Sequence, residues 1–300
     1  MATESAAMGP AKWVDAAGIR TRYFEAGSGL PIVLLHGSHM GAPFEATSAP
    51  VFAPVFAWLR DGFRVIAIDR LGQGFTDNPP HEEDYTLEAG ARHVAVALEA
   101  LCREPCHLVG HEEGGFLAAL LAVAHPERVA SVTLVAANAL TPGADRRNVV
   151  HAHPPSPFLS RHSLRWIYET ASFSHRVVDE AWVDEAESVA RSERNAQAVR
   201  TMQRDDIYLG RYVSTWMASR AALHRRFAES GMPCPTLVAW GLDDPIAPIE
   251  NAKYLMEILA TRQRDTEMRI FNSAGHYVFR EHPAAFSRMV ASFVSGYAGR

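Results

Sequence analysis

The chain has 300 residues, of which 48 % are apolar, 21 % charged and 9 % aromatic, which excludes a disordered or collagen-like protein. Its 29 Lys and Arg residues against 34 Asp and Glu residues give a formal net charge of −5, and no basic run indicates nucleic-acid binding. No stretch reaches the roughly 18 consecutive apolar residues of a membrane span, and residues 1–10 lack the apolar core of a signal peptide. We therefore expect a cytoplasmic protein that acts on small molecules and binds neither nucleic acid nor membrane.

Cysteine and histidine spacing predicts neither a metal nor a cofactor. The three cysteines are an odd number, and no pair has the spacing of a zinc or dithiol redox motif, so we expect reduced structural thiols. Four histidines fall close together, but no carboxylate or cysteine joins them at ligand spacing: His151, His153, His162 and His175.

Short apolar runs alternate with helical stretches in the first 136 residues. The run at 20–25 alternates, whereas the others are continuously apolar, which is typical of strands buried on both faces of a parallel sheet. The predicted strands are 20–25, 31–35, 63–68, 106–109 and 129–135, and the predicted helices are 86–99 and 118–124. This pattern predicts the α/β class, with a mostly parallel central sheet flanked by helices.

The pattern changes between residues 137 and 232. This segment has no comparable apolar run, several prolines near its start, and helical spacing from about 177 to 226. Strands are predicted again at 236–240 and 267–271, followed by a helix at 284–297. We therefore predict an α/β core at 1–136 and 233–300 with a helical cap subdomain at 137–232.

A glycine-flanked turn joins the strand at 106–109 to the helix that follows it. In residues 110–114, Gly-His-Glu-Glu-Gly, the central position is Glu112. Such a strand-to-helix turn places its central side chain on a sharp corner above the sheet, where larger flanking residues would collide. We call residues 110–114 the elbow.

Two further segments complete an order of motifs. Asp243 and Asp244 follow the strand at 236–240, and His276 follows the strand at 267–271. The chain resembles the α/β-hydrolase superfamily, because the elbow, the acid and the histidine follow one another in that family's order. His-Gly-Ser at 36–38 and a Gly-Gln-Gly turn at 72–74 add to the resemblance. The resemblance covers all of the chain except the helical segment.

The elbow residue departs from that family pattern, because Glu112 stands where most of the superfamily has serine and some branches have cysteine or aspartate. A serine esterase mechanism is therefore excluded. The resemblance implies that His276 is the base and that Asp244 orients it. It also implies an oxyanion hole formed by the backbone N–H groups of Ser38 and Glu113.

Two kinds of chemistry remain open for a glutamate at this position. In the first, the carboxylate attacks carbon, and water activated by His276 and Asp244 then cleaves the covalent intermediate. In the second, Glu112 and His276 titrate as a coupled pair that directs water at a carbonyl or moves protons. Two neighbouring carboxylates should in either case raise the pKa of His276 above its ordinary value.

In length and motif style the chain most resembles the carbon–carbon bond hydrolases of aromatic ring-cleavage pathways, with epoxide hydrolases next. That resemblance implies a substrate-binding arginine in the cap, for which Arg191 or Arg194 is a candidate. It also implies two cap tyrosines of the epoxide hydrolase type, for which Tyr208 and Tyr212 share a helical spacing of four. Other residues that we expect near the substrate are His36, Gly37, His111 and Tyr277.

The predicted function is hydrolysis of a small ester, lactone, epoxide or carbon–carbon bond next to a carbonyl, with Glu112 as nucleophile or general base. One alternative is a cofactor-free lyase, cyclase or decarboxylase that uses acid/base chemistry of Glu112 and His276. The other is a catalytically silent member of the superfamily that binds a ligand. The sequence gives no indication of oligomeric state.

Overall fold

A single eight-stranded sheet organises residues 8–143 and 145–297, the parts of the chain that the computed structural model describes. The first seven residues of the segment considered above for a signal peptide lie outside the described residues. The strands are β1 (Lys12–Ala16), β2 (Ile19–Ala26), β3 (Pro31–Leu35), β4 (Arg64–Ile68), β5 (Cys106–His111), β6 (Val129–Val135), β7 (Thr236–Gly241) and β8 (Thr266–Phe271).

The strand order is β1-β2-β4-β3-β5-β6-β7-β8. Pairing is antiparallel between β1 and β2 and between β2 and β4, and it is parallel from β4 to β8. The inner strands β3, β5 and β7 are buried at every position, as their continuous apolar runs predict. The predicted α/β class is confirmed, and the carboxyl ends of the parallel strands share one edge of the sheet.

Strand β1 was not predicted. Only Ala16 of its five residues is buried, so the strand lacks the apolar run by which the others were identified. Its position depends on pairing with β2 across the turn at Ala17 and Gly18, both of which have positive φ.

Helices cover both faces of the sheet. Helix α3 begins at Glu113, inside the elbow and five residues before the predicted start. The side chain of Thr86 caps α2 by accepting from Ala89 N–H. The helices are α1 (Ala53–Leu59), α2 (Leu87–Leu101), α3 (Glu113–Ala124), α4 (Arg147–Val150), α5 (Arg161–Ala171), α6 (Glu180–Ala190), α7 (Glu193–Met202), α8 (Asp205–Ile207), α9 (Ser214–Ser230), α10 (Ile249–Ala260), α11 (Val278–Glu281) and α12 (Pro283–Gly296). No helix in the described ranges is long and apolar enough to cross a membrane.

Helices α4 to α9 all lie between β6 and β7, and we call residues 136–235 the helical insertion. Within the described part of this segment there is no strand, in agreement with the predicted helical content. A π-helical turn, Tyr208–Val213, joins α8 to α9. The division of the chain into a core and a separate cap subdomain stays a prediction.

A buried ion pair joins the helical insertion to the sheet. Arg22 on β2 donates to Asp69 at 2.5 Å and to Glu185 on α6 at 2.9 Å. Asp69 also accepts from the backbone N–H groups of Ala49 and Phe75, both at 2.7 Å. Because Arg22 and Asp69 are almost fully buried, loss of the Asp69 charge leaves Arg22 with Glu185 as its one remaining carboxylate among these contacts, and loss of Arg22 leaves Asp69 without its cation.

We therefore expect Asp69→Asn to lower the free energy of unfolding by about 3–5 kcal/mol, the usual cost of breaking a buried ion pair. Urea denaturation of the purified variant measures this loss. The control is Lys12→Gln, which removes an ion pair with Glu25. Because the Lys12 side chain is 45 % exposed, this change should lower the free energy of unfolding by about 1 kcal/mol or less. A loss as small as the control's would contradict the structural role assigned to Asp69.

Candidate active site

The elbow residue has a backbone conformation that few non-glycine residues adopt. Glu112 has φ 53° and ψ −116°, between the end of β5 and the start of α3. A Cβ atom on Gly114 would lie 2.1 Å from the carbonyl oxygen of Leu35, so glycine is required there. The strained turn directs the Glu112 side chain to the carboxyl edge of the sheet, as the sequence predicts.

The loop after β3 holds one oxygen of the Glu112 carboxylate. The backbone N–H of Ser38 donates to Glu112 Oε2 at 2.8 Å. Gly37 makes this approach possible, because a Cβ atom there would lie 2.6 Å from the same oxygen. The N–H predicted to bind a substrate oxyanion thus binds the side chain of Glu112.

Asp244 and His276 meet beside the elbow. Asp244 Oδ2 lies 2.9 Å from His276 Nδ1, and its Oδ1 accepts from the backbone N–H groups of Ile246 and Ala247. His276 Nε2 lies 3.9 Å from Glu112 Oε2, beyond hydrogen-bond distance, and finds no partner within the described ranges. The structure therefore brings the three predicted residues together and leaves one buried ring nitrogen of His276 without a hydrogen-bond partner among the residues that it describes.

A fourth charged residue, Arg147 on α4, completes the site. It forms a short ion pair with Glu112 Oε1 and lies 3.3 Å from Glu45 Oε2. Glu45 in turn accepts from the hydroxyl of Tyr277 at 3.0 Å. Arg147 is about a quarter exposed, so it reaches the site from the helical insertion while its charge stays accessible.

These neighbours decide the charge of Glu112. Burial opposes ionisation of the carboxyl group, but Arg147 and then His276 outweigh that effect and hold the pKa of Glu112 well below its usual range. Glu112 is therefore a carboxylate throughout the physiological pH range.

The same charges act on the histidine in the opposite sense. Burial disfavours the imidazolium, but Asp244 and Glu112 outweigh it and raise the pKa of His276 to about 10. The predicted direction of this shift is confirmed, and the resting site contains an imidazolium between two carboxylates.

Two cavities that share lining residues lie near the elbow, and one of them is lined by Glu112. The first, of about 460 Å³, is lined by Glu112, Glu113, Tyr212 and Trp216 among others, and we call it the inner cavity. The second, of about 540 Å³, is lined by Phe44 and His151 among others. Both are bordered by His39, Arg147, Asn148 and Tyr208. These dimensions suit a small organic molecule that spans the boundary with one end at Glu112.

The two candidate tyrosines lie in the wall of this space. Tyr208 and Tyr212 are on the π-helical turn, their rings are stacked with centroids 6.3 Å apart, and both border the inner cavity. Tyr208 and Tyr212 therefore share one face of the turn, as their spacing of four residues predicts.

Three residues that we expected near the substrate are instead used in contacts within the protein. His36 is fully buried and its Nε2 accepts from the backbone N–H of Arg70 at 3.2 Å. His111 is buried, with its Nε2 3.0 Å from the carbonyl oxygen of His276. Tyr277 is buried and its hydroxyl donates a hydrogen bond to Glu45, so it positions the carboxylate that pairs with Arg147.

The candidate cap arginines do not reach the site. The side chain of Arg191 is 76 % exposed at the C-terminal end of α6, where it pairs with Glu187 one turn earlier. Arg194 contacts Asn78 and the carbonyl of Gly74 instead. The arginine that does contact Glu112 is Arg147, in a short helix between Pro142 and Pro154 of the insertion, and no local pattern in the sequence singles it out.

No group of His, Cys, Asp and Glu side chains within the described residues could hold a metal ion.

Comparison with protein families gives one match over most of the chain. Residues 31–283 match the alpha/beta hydrolase fold family. The chain is 29 % identical to the 2-hydroxy-6-oxo-6-(2'-aminophenyl)hexa-2,4-dienoic acid hydrolase of Metapseudomonas resinovorans, covering 95 % of this chain and 90 % of that protein. It is 28 % identical to the 2-hydroxymuconate semialdehyde hydrolase of Pseudomonas sp. strain CF600, covering 94 % and 93 %.

Solved structures agree in fold. The meta-cleavage product hydrolase of Pseudomonas fluorescens IP01 superposes with a TM-score of 0.77 at 24 % identity, covering 95 % of this chain and 97 % of that one. A serine hydrolase involved in carbazole degradation superposes with a TM-score of 0.73 at 25 % identity, covering 95 % and 98 %. The resemblance predicted from the motifs is thereby confirmed.

We expect the His276 ring to stay protonated from pH 7 to beyond pH 9, because Asp244 and Glu112 stabilise the imidazolium. An NMR titration of ¹⁵N-labelled histidine measures this, with Glu112→Gln expected to lower the midpoint. His107 is the internal control, since burial lowers its pKa to about 4 and it should remain neutral over the same range. A His276 midpoint at or below the ordinary value of about 6.5 would contradict the charge assignment.

Proposed function

Because the chain belongs to the alpha/beta hydrolase fold family, we propose that it hydrolyses the carbon–carbon bond next to the ketone of a small, largely apolar dienoic acid. The observation that carries this proposal is an ionised, buried Glu112 beside an imidazolium at the wall of a cavity. The named relatives at 26–29 % identity, which act on 2-hydroxy-6-oxo-dienoic acids or 2-hydroxymuconate semialdehyde, support the substrate class.

In this proposal Glu112 is a general base. It takes a proton from water, and the hydroxide adds to the ketone carbon while His276 Nε2–H donates to the developing oxyanion. Direct attack by Glu112 on the ketone would instead give a tetrahedral adduct that becomes a mixed anhydride when the carbon–carbon bond breaks, a more demanding intermediate. Collapse of the hydrated ketone breaks the carbon–carbon bond and yields one carboxylic acid and one protonated carbon.

Arg147 gives the substrate carboxylate a place to bind. It borders both cavities and is shared between Glu112 and Glu45, so an incoming carboxylate can compete for its guanidinium. When Arg147 pairs with the substrate, Glu112 loses part of its stabilising charge and becomes a stronger base. The substrate carboxylate would thus increase the basicity of Glu112, the general base for its own hydrolysis.

We expect Glu112→Gln to fold normally and to lose turnover of 2-hydroxy-6-oxo-6-(2'-aminophenyl)hexa-2,4-dienoate by a factor of about 10²–10⁴, because an amide cannot accept the proton of water. A single turnover of the unmodified enzyme, in excess over substrate and in ¹⁸O-labelled water, should place ¹⁸O in the aminobenzoate product. Mass analysis of that product and of the peptide containing Glu112 provides the measurement.

The same experiment separates the competing mechanisms. Label in the Glu112 peptide and none in the product would overturn the general base in favour of a covalent glutamyl intermediate. Turnover without label in either would overturn hydrolysis in favour of a lyase. Ligand-induced stabilisation without any turnover would indicate a silent binding protein.

We expect Arg147→Gln to raise KM for the dienoic acid by about tenfold to hundredfold, since a charge-assisted hydrogen bond contributes about 1.5–3 kcal/mol. Steady-state kinetics with the acid and with its methyl ester measure the effect. The ester is the matched control and should lose much less, because it has no carboxylate for Arg147 to bind. Equal losses for acid and ester would count against this role.

A further inference from the structure

The residue after Glu112 also has its carboxyl group at the cavity. Glu113 is the first residue of α3, its side chain is 13 % exposed, and it borders the inner cavity together with Glu112. Two carboxyl groups from consecutive residues therefore face one reaction space. The mechanism proposed above uses only the first of them.

The two carboxyl groups have different partners. Glu112 is bound by Arg147 and by the N–H of Ser38. Glu113 Oε2 receives one contact from Arg70 Nη2 at 3.1 Å. The Arg70 guanidinium also donates to the carbonyl oxygens of His36 at 2.7 Å and Ser38 at 2.9 Å. Arg70 therefore orients Glu113 while much of its hydrogen-bonding capacity serves the backbone.

The charged and titratable groups that face Glu113 come from three elements. Arg70 approaches from the loop after β4, Glu112 from the elbow, and Tyr212 and Tyr208 from the π-helical turn. Burial raises the pKa of Glu113 to about 7 against the opposing effect of Arg70, and the negative charge of Glu112 adds to the rise. Near neutral pH, an ionised carboxylate and a protonated carboxyl group thus line the same cavity, which is the arrangement of an acid and base pair.

Building on the proposed function, we propose that Glu113 is the proton donor to the carbon that leaves the ketone. Glu112 takes one proton from water, and the hydroxide forms the new carbon–oxygen bond. As the carbon–carbon bond breaks, one hydroxyl of the hydrated ketone returns a proton to His276, and the electron pair of the broken bond takes the proton of Glu113 to form a carbon–hydrogen bond. Glu112 ends protonated and Glu113 ends ionised, and one proton passed from Glu112 to Glu113 through solvent restores both.

Oxygen exchange separates this role from that of Glu112. Without its donor, Glu113→Gln should still hydrate the ketone reversibly, so substrate recovered from ¹⁸O-labelled water should carry label in the ketone while cleavage falls about 10²–10⁴-fold. Glu112→Gln should lose both exchange and cleavage. The matched control is Glu193→Gln, on an 84 % exposed side chain, which should cleave at the unmodified rate, and an enzyme-free sample corrects for spontaneous exchange.

A pH series adds a second readout. Because Glu113 must be protonated, cleavage should be fastest below about pH 7 and fall about tenfold per pH unit above it, and this limb should be absent in Glu113→Gln. Infrared spectra of protein with ¹³C-labelled glutamate should show a carboxyl group that titrates near pH 7. That signal should disappear in Glu113→Gln and shift to lower pH in Glu112→Gln, where the neighbouring charge is removed.

Failure of this inference can be distinguished from failure of the proposed function. Cleavage by Glu113→Gln at the unmodified rate, with the same pH profile, would overturn the donor role and leave the hydrolase intact. If the unmodified enzyme does not cleave the dienoate, the proposed function fails with this step. Absence of the infrared titration near pH 7 would overturn the assignment independently of activity.

Discussion

Glu112 carries a negative charge into a part of the protein where it is almost fully buried, and the rest of the site is arranged around that charge. Removing a carboxylate from water costs several kcal/mol unless charge and hydrogen bonds replace the solvent. The Ser38 N–H, the Arg147 guanidinium and the His276 ring supply that replacement from three separate segments. The Ser38 N–H can reach the carboxylate because residue 37 is a glycine, whose missing side chain leaves the space that the Glu112 side chain occupies.

The contrast between Glu112 and Glu113 shows that environment, more than residue type, assigns chemical roles. The two side chains are adjacent in the chain and have the same ordinary pKa, yet one is surrounded by cationic and N–H donors and the other shares a single arginine with two carbonyl groups. Their pKa values are displaced in opposite directions. A sharp turn that ends a strand and starts a helix makes this possible, since it sends consecutive side chains toward different partners.

Local patterns predicted the parts of this molecule that depend on local physics. Continuous apolar runs identified the buried strands, and the glycines around the elbow identified the turn because its geometry excludes larger residues. Strand β1 was missed because it is mostly exposed and depends on pairing. The sequence suggested Arg191 as the arginine near the substrate and did not single out Arg147, for a related reason. Which arginine reaches the elbow depends on how the helical insertion packs over the sheet, and sequence spacing does not specify that packing.

The π-helical turn at the start of α9 affects the shape of the inner cavity. Tyr208, Tyr212, Trp216 and Arg220 all line that cavity and are spaced four residues apart. In an α-helix of 3.6 residues per turn, each step of four residues rotates the side chain about 40° past the previous one, so the stripe would wind away from the cavity. In the wider π turn a step of four residues falls short of a full turn, so the first step rotates in the opposite sense and offsets the rotation of the next step. One wider turn therefore lets the π-helical turn and α9 form one continuous wall of the inner cavity.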